Sequence, residues 1–317
     1  MLNHVLPVVD LLDSPSASGA SLADHLRTFA PADATIEVET VSAERGATDF
    51  VRVVIPGTAG RRSGGAAPTL GIIGRLGGVG ARPELIGLVS DADGAAAALA
   101  AAAKLLQMAS RGDRVAGDVI ICTHVDPDAP TEPHDPVPFM SSAVDIATMN
   151  ANEVTVDMDA IVSIDTTKGN RILNHRGVAI SPTVKEGYIL RPAPDLVAVL
   201  ETVSGEPAKI LPLAQQDITP YGNDLHHVNS ILQPAVATSA PVVGVALTTV
   251  TAVAGCATGA SHETDIALAA RFAVEVAKGF GTGQVAFHDE TEFAHMIALY
   301  GENVRFQTLG APATATV

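Results

Sequence analysis

Thr69-Leu70-Gly71-Ile72-Ile73-Gly74 is a continuous run without a charged side chain. It is too short for a helix and has no polar alternation, so it reads as a strand buried on both faces. Three more runs share this grammar: Val119 to Cys122, Ala160 to Ile164 and Val242 to Leu247. Between the first two lies the Ala-rich stretch Asp93 to Arg111, with Leu99, Leu105, Leu106 and Met108, which its composition predicts as a helix. His262 to Gly279 carries Ile266, Ala269, Phe272, Ala273 and Val276 on one face and predicts a second long helix ending at Gly279. Doubly buried strands alternating with helices predict an α/β fold, with a mixed, mostly parallel central sheet and helices on both faces.

Outward from this centre the pattern weakens. Residues 5–12 read as a helix capped by Asn3, broken at Ser14-Pro15-Ser16, and Ser21 to Phe29 reads as a second short helix. Thr35 to Thr40 and Phe50 to Ile55 alternate apolar and polar residues like half-buried strands. The Gly-, Arg- and Ser-rich segment 57–68 predicts a mobile loop, and the tail 310–317 is expected to be disordered. The remainder, 1–317, is expected to form one domain.

Composition narrows the function. The chain has 317 residues, 47% of them hydrophobic, enough for a substantial core. Its 19 Lys and Arg against 35 Asp and Glu leave a formal charge of -16, and no basic run offsets it, which argues against nucleic-acid partners. The longest apolar stretch, Ala95 to Ala103, is too short to cross a bilayer, so no membrane association is expected. Two cysteines outside any C-x-x-C pair, and no basic, apolar leader, point to a reducing, cytoplasmic setting.

In open α/β sheets ligands gather at the carboxyl ends of the strands. Arg75 follows the first run, His124, Asp126 and Asp128 follow the second, and Asp165 follows the third. Asp91 and Asp93 open the Ala-rich helix, and His262 opens the last one. These oxygen and imidazole donors suit a divalent metal. Each also has an ordinary structural role: a helix cap for Asp91 or Asp93, and a turn contact for Asp165, with Lys168 as its partner. The segment His124 to Met140 holds two His, four acidic residues and five Pro. Such proline density fixes an extended path, either a rigid surface loop or a lip presenting His124, Asp126 and His134 to a cleft. Of the adjacent His226 and His227, at most one is expected to face a shared site; His226 is the candidate.

The order of these motifs resembles that of the zinc-dependent aminopeptidases with a co-catalytic two-metal site, nearest the glutamyl and deblocking branch, over most of the chain. Ser14 to Gly19 is similar to that family's N-terminal P-S-G element, and Gly74 to Gly80 to its A-H-M-D-E-[IV]-G motif. Asp91-Ala92-Asp93-Gly94 resembles the bridging-Asp motif, Ile164-Asp165 the strand-end ligand, and Ser261-His262-Glu263 the final His ligand. The chain resembles more closely an uncharacterised bacterial family that shares the HDPVPFM lip, which implies no activity. Four features depart from the aminopeptidase pattern. The first metal-ligand His is Arg75, which cannot ligate a cation. Its orienting Asp is Gly77, and the glutamate pair is Asp126-Pro127. The lid domain is missing, since only 80–90 lies where it would be inserted.

What the resemblance then implies is one divalent ion, zinc or manganese, rather than two. Its ligands would be Asp91, His262 and Asp165 with a donor from His124, Asp126 or Asp128. Asp126 would be general base, Arg75 would hold a substrate carboxylate or an oxyanion, and His134 and His226 would contact substrate. The expected activity is hydrolysis of an amide, short peptide or cyclic amide by a closed homo-oligomer. The alternative expectation is a catalytically degenerate binding or structural protein in which Arg75 replaces a metal and pairs with Asp91 or Asp165.

Overall fold

The computed structural model describes residues 1–75, 77, 79 and 87–310. Leu76, Gly78 and Gly80 of the Gly-rich motif, most of the short link expected in place of a lid, and the tail after Gly310 lie outside the described residues.

The chain opens with helices α1 (Leu2–Leu12) and α2 (Gly19–Arg27) and the hairpin β1 (Thr35–Ala43) and β2 (Gly46–Ile55). Strand β3 (Leu70–Gly74), helix α3 (Asp93–Ser110) and strand β4 (Val119–Val125) follow. The Pro-rich segment contributes the short pair β5 (Thr131–Glu132) and β6 (Phe139–Met140), then helix α4 (Ile146–Glu153) and strand β7 (Ala160–Thr166). Next come β8 (Gly177–Ile180), β9 (Val184–Lys185), β10 (Tyr188–Ile189), α5 (Pro194–Ser204) and β11 (Lys209–Ile210). The chain continues with β12 (Val242–Thr248), α6 (Glu263–Gly281) and α7 (Glu290–Tyr300).

One sheet runs in the order β1-β2-β4-β3-β7-β12-β8-β11. Its centre, β4-β3-β7-β12, is parallel throughout, and antiparallel strands β2 and β8 flank it. All four expected core strands are there, and the α/β class with a mixed, mostly parallel sheet is what the doubly apolar runs imply. Helix α3 packs against the sheet, α1 and α6. All of its alanines are buried, and their small side chains let three helices and a sheet approach closely. One close approach is at the carboxyl end of β3. A Cβ on Gly74 would stand 2.6 Å from the Gly94 carbonyl oxygen, and one on Gly94 2.5 Å from that of Ile164. Glycine at both positions lets β3, β7 and the start of α3 meet at one point.

Local expectations shift in three places. Met1, not Asn3, caps α1. Ser18 caps α2, its hydroxyl accepting from the Ser21 N–H at 3.2 Å. Helix α6 runs past Gly279 to Gly281. The segment 57–68, expected as a mobile loop, is tied down by the buried Asp118. One carboxylate oxygen accepts from the Gly57 N–H at 2.8 Å and the other from the Arg62 N–H at 3.0 Å. Ser63 Oγ closes the turn onto the Gly57 carbonyl at 2.6 Å. Among the described residues no helix is long and apolar enough to cross a membrane.

Candidate functional site

Strands β3, β4, β7 and β12 end on the same side of the sheet, and the polar residues that follow them meet there. Arg75 continues β3, its backbone N–H donating to the Ile164 carbonyl at 2.7 Å. Its side chain is fully buried, which a guanidinium tolerates only with a counter-charge. That counter-charge is Glu153, at the end of α4. Arg75 Nε lies 2.9 Å from Glu153 Oε2, an ion pair without hydrogen-bond alignment. Nη2 donates to Asn150 Oδ1, and Nη1 lies 3.7 Å from Met149 Sδ. The other Glu153 oxygen lies 2.7 Å from His124 Nδ1. Arg75 therefore pairs with Glu153, and not directly with Asp91 or Asp165 as expected. Met149, Asn150 and Glu153 are not among the residues the sequence motifs single out. The available signal was their three- and four-residue spacing on one helix face.

Asp165 ends β7. Its Oδ1 accepts from the Thr166 N–H at 2.7 Å and its Oδ2 from Ser230 Oγ at 2.9 Å. Burial pushes this carboxyl up to about 6, against the Thr166 and Ser230 hydrogen bonds and the charge of Arg75. Asp91 is pushed further, to about 7, first by burial and then by the nearby Asp165; the Met140 N–H and Lys168 pull the other way. That N–H donates to Asp91 Oδ2 at 3.0 Å. Gly255 lies directly against the same oxygen, where a Cβ would stand at 2.0 Å. Asp93, also raised by burial, accepts from Lys168 Nζ at 3.1 Å and from Ser261 Oγ. Lys168 thus serves Asp93, and not Asp165 as expected. Asp126 Oδ2 accepts from Ser142 Oγ at 2.8 Å and the Ala143 N–H at 2.7 Å, and burial raises its carboxyl.

Above these residues opens a cleft of about 1120 Å³. Its walls are the β1–β2 tip (41–45), the lip and the start of α4 (136–149), the turn after β7 (166–170) and the loop 221–230. Asp91 and Gly255 line it. His134 and His226, the two expected substrate contacts, are exposed and line it too. The expected catalytic pair does not: Arg75 and Asp126 are fully buried, and Asp126 holds the lip through Ser142 and Ala143.

Of the four expected metal donors, only Asp91 lines the cleft. His124 and Asp165 are buried beneath it, and His262 is half-buried at the start of α6. Among the described residues no group of three or more His, Cys, Asp or Glu side chains is placed to hold a metal ion. The expected donors are committed elsewhere: His124 Nδ1 to Glu153, Asp165 to Thr166 and Ser230, and one Asp91 oxygen to Met140. Arg75 and Lys168 supply fixed positive charge among them. A divalent ion does not fit this donor set.

A family model described as Protein of unknown function (DUF1177) matches residues 39–310. The chain belongs to this family. The matched span of this DUF1177 protein includes the whole sheet except the start of β1, together with the cleft. No curated protein is similar to it in sequence.

Several solved structures share the fold. The bottromycin maturation enzyme BotP, in complex with Mn, is 15% identical with a TM-score of 0.51, over 87% of this chain and 70% of BotP. The cytosol aminopeptidase from Coxiella burnetii is 15% identical with a TM-score of 0.50, over 88% of this chain and 68% of its own. The Porphyromonas gingivalis glutaminyl cyclase is 10% identical with a TM-score of 0.51, over 90% of this chain and 97% of its own. At these identities the likeness shows an aminopeptidase-type fold and nothing finer.

Proposed function

We propose that this DUF1177 protein binds a short peptide or a comparably small molecule in the cleft above Asp91. Its aminopeptidase-type scaffold then has a centre neutralised by side chains in place of a metal. One observation carries the reading: Arg75, at the position where the aminopeptidase motif has a ligand His, is buried and joined to His124 through Glu153. A guanidinium is permanently charged and donates only, so it supplies positive charge without a coordination position. A metallohydrolase centre instead needs about three donors around one point and an open position for water, which the described residues do not offer.

Metal analysis by plasma emission on protein purified without chelator tests this reading. The expected content is below roughly a tenth of an equivalent, with no rise in Tm on adding zinc or manganese. A stoichiometric ion whose removal lowers Tm would overturn it.

A hydrolytic reading has one observation of its own. The Asp91 carboxyl, at about 7 and facing the cleft, suits a general base that takes a proton from water attacking a bound amide. Dipeptide amides offered to the wild type and to Asp91→Asn separate the two readings. Turnover lost in the variant supports hydrolysis, and no turnover by the wild type leaves binding alone.

A further inference from the structure

The cleft is larger than the roughly 300–1,000 Å³ of a typical small-molecule site, at about 1120 Å³. A single amino acid would leave most of it empty. Part of its wall is apolar and open to solvent: Tyr221, Leu225 and Val228 on one loop are 38%, 49% and 50% exposed. These features suit an extended molecule of several residues with apolar side chains.

The charges lining the cleft are unbalanced. Four carboxylates line it, from Glu44, Asp91, Asp145 and Asp224, against Arg45 and Lys168. Both cations are already paired, Arg45 with Glu132 and Lys168 with Asp93 at 3.1 Å. An anionic ligand would have to displace one of those partners. Asp145 caps α4, accepting from the Thr148 N–H at 2.7 Å, but the other carboxylates are freer. Asp91 is only 6% exposed and its Oδ2 is held by Met140, but among the described residues no hydrogen bond reaches its Oδ1. Glu44 and Asp224 are exposed at the cleft wall. The formal charge of -16 adds a long-range field of the same sign.

We infer that the cleft selects basic peptides: short chains with apolar side chains that also carry Lys or Arg. This rests on the cleft-binding reading and adds the charge of the ligand to it. Neutralising Glu44 and Asp224 leaves the fold untouched, since both are exposed and Asn tolerates the positive φ of position 224.

The test is calorimetric titration with three synthetic tetrapeptide amides that share their apolar residues and carry two Lys, two Gln or two Glu. The Lys peptide is expected to bind best, with an advantage that shrinks as salt is raised. In the double variant Glu44→Gln, Asp224→Asn its affinity falls roughly three- to tenfold, while that of the Gln peptide stays within about twofold. A Gln or Glu peptide binding at least as tightly as the Lys peptide overturns the charge selection alone. No binding by any of the three removes the cleft-binding reading, and this inference with it.

Discussion

Arg75 Nε lies 2.9 Å from Glu153 Oε2, and neither side chain is exposed to solvent. Two full charges sit in the interior, at the point where β3 ends and α4 turns back toward the sheet. Taking both from water is costly, and their attraction offsets that cost only while both remain. Removing one strands the other. Arg75→Ala is therefore expected to cost about 3–5 kcal/mol, because among the described residues it leaves Glu153 with only His124 as a side-chain partner. The double replacement Arg75→Met, Glu153→Leu is expected to cost clearly less than the two single changes added together. Urea titration of the four proteins gives the comparison. Additive losses would mean that the pair does not act as a unit.

The pH dependence of stability follows from the carboxyls nearest the cleft. In the folded protein Asp91 is raised to about 7 and Asp165 to about 6, both chiefly by burial. Unfolded, each returns to the usual carboxylate range near 4. Between roughly pH 4 and 7 these two carboxyls thus hold more protons folded than unfolded, and their contribution to stability falls as pH rises, while His4, His25 and His175, lowered by burial, act in the opposite sense. Each group contributes a slope of at most about 1.4 kcal/mol per pH unit. Denaturation midpoints from pH 4.5 to 7.5 are expected to decline toward the alkaline end. Asp91→Asn should flatten the upper part of that decline. A difference between wild type and Asp91→Asn that does not change with pH across this window would contradict the assignment.

Much of the fold is legible because β3, β4, β7 and β12 are buried on both faces, so their sequences carry almost no polar residue until they reach the site. The same property marked Arg75, His124, Asp126 and Asp165, the first polar groups after or near each strand end. Partner choice was not legible. Arg75 and Glu153 are far apart in sequence and meet only because α4 packs against β2, and no local periodicity encodes that. Glu153 on a weakly amphipathic helix reads like any solvated acid. Lys168 stands out beside Asp165 in the sequence, but its choice of Asp93 over Asp165 depends on how the turn after β7 faces α3. Asp126 in sequence suits a catalytic base, yet the lip folds back so that Ser142 and Ala143 occupy one of its oxygens.

The segment 57–68 offers a direct check on a Gly-rich stretch that looks mobile in sequence. Asp118 holds its Gly57 and Arg62 N–H groups, and Arg61 pairs with Asp159. Asp118→Ala leaves two backbone donors without their acceptor, at a cost of roughly 1–3 kcal/mol for each that stays dry. Wild-type protein is expected to resist trypsin at Arg61 and Arg62, and the variant to be cut there first. Equal rates of cleavage at these sites in the two proteins would show that Asp118 does not hold the loop.

Gly255 sets the shape of the cleft at Asp91. A Cβ there would stand 2.0 Å from Asp91 Oδ2 and 2.7 Å from its Oδ1, closer than any real contact. The obstruction cannot be relieved cheaply. The Asp91 backbone N–H donates to the Gly255 carbonyl at 3.1 Å, and the Gly255 N–H donates to Pro138 at 3.0 Å, so backbone on both sides is held. Gly255→Ala must then push the Asp91 carboxylate off the Met140 N–H and loosen the lip at β6. Overpacking of this kind costs about 1–3 kcal/mol, and the displaced carboxylate would no longer face the cleft as it does. The expected result is a lowered Tm together with weakened binding of the Lys peptide, including at temperatures where the variant is fully folded. A variant with wild-type Tm and wild-type affinity would mean that Asp91 and Gly255 are not in the contact described.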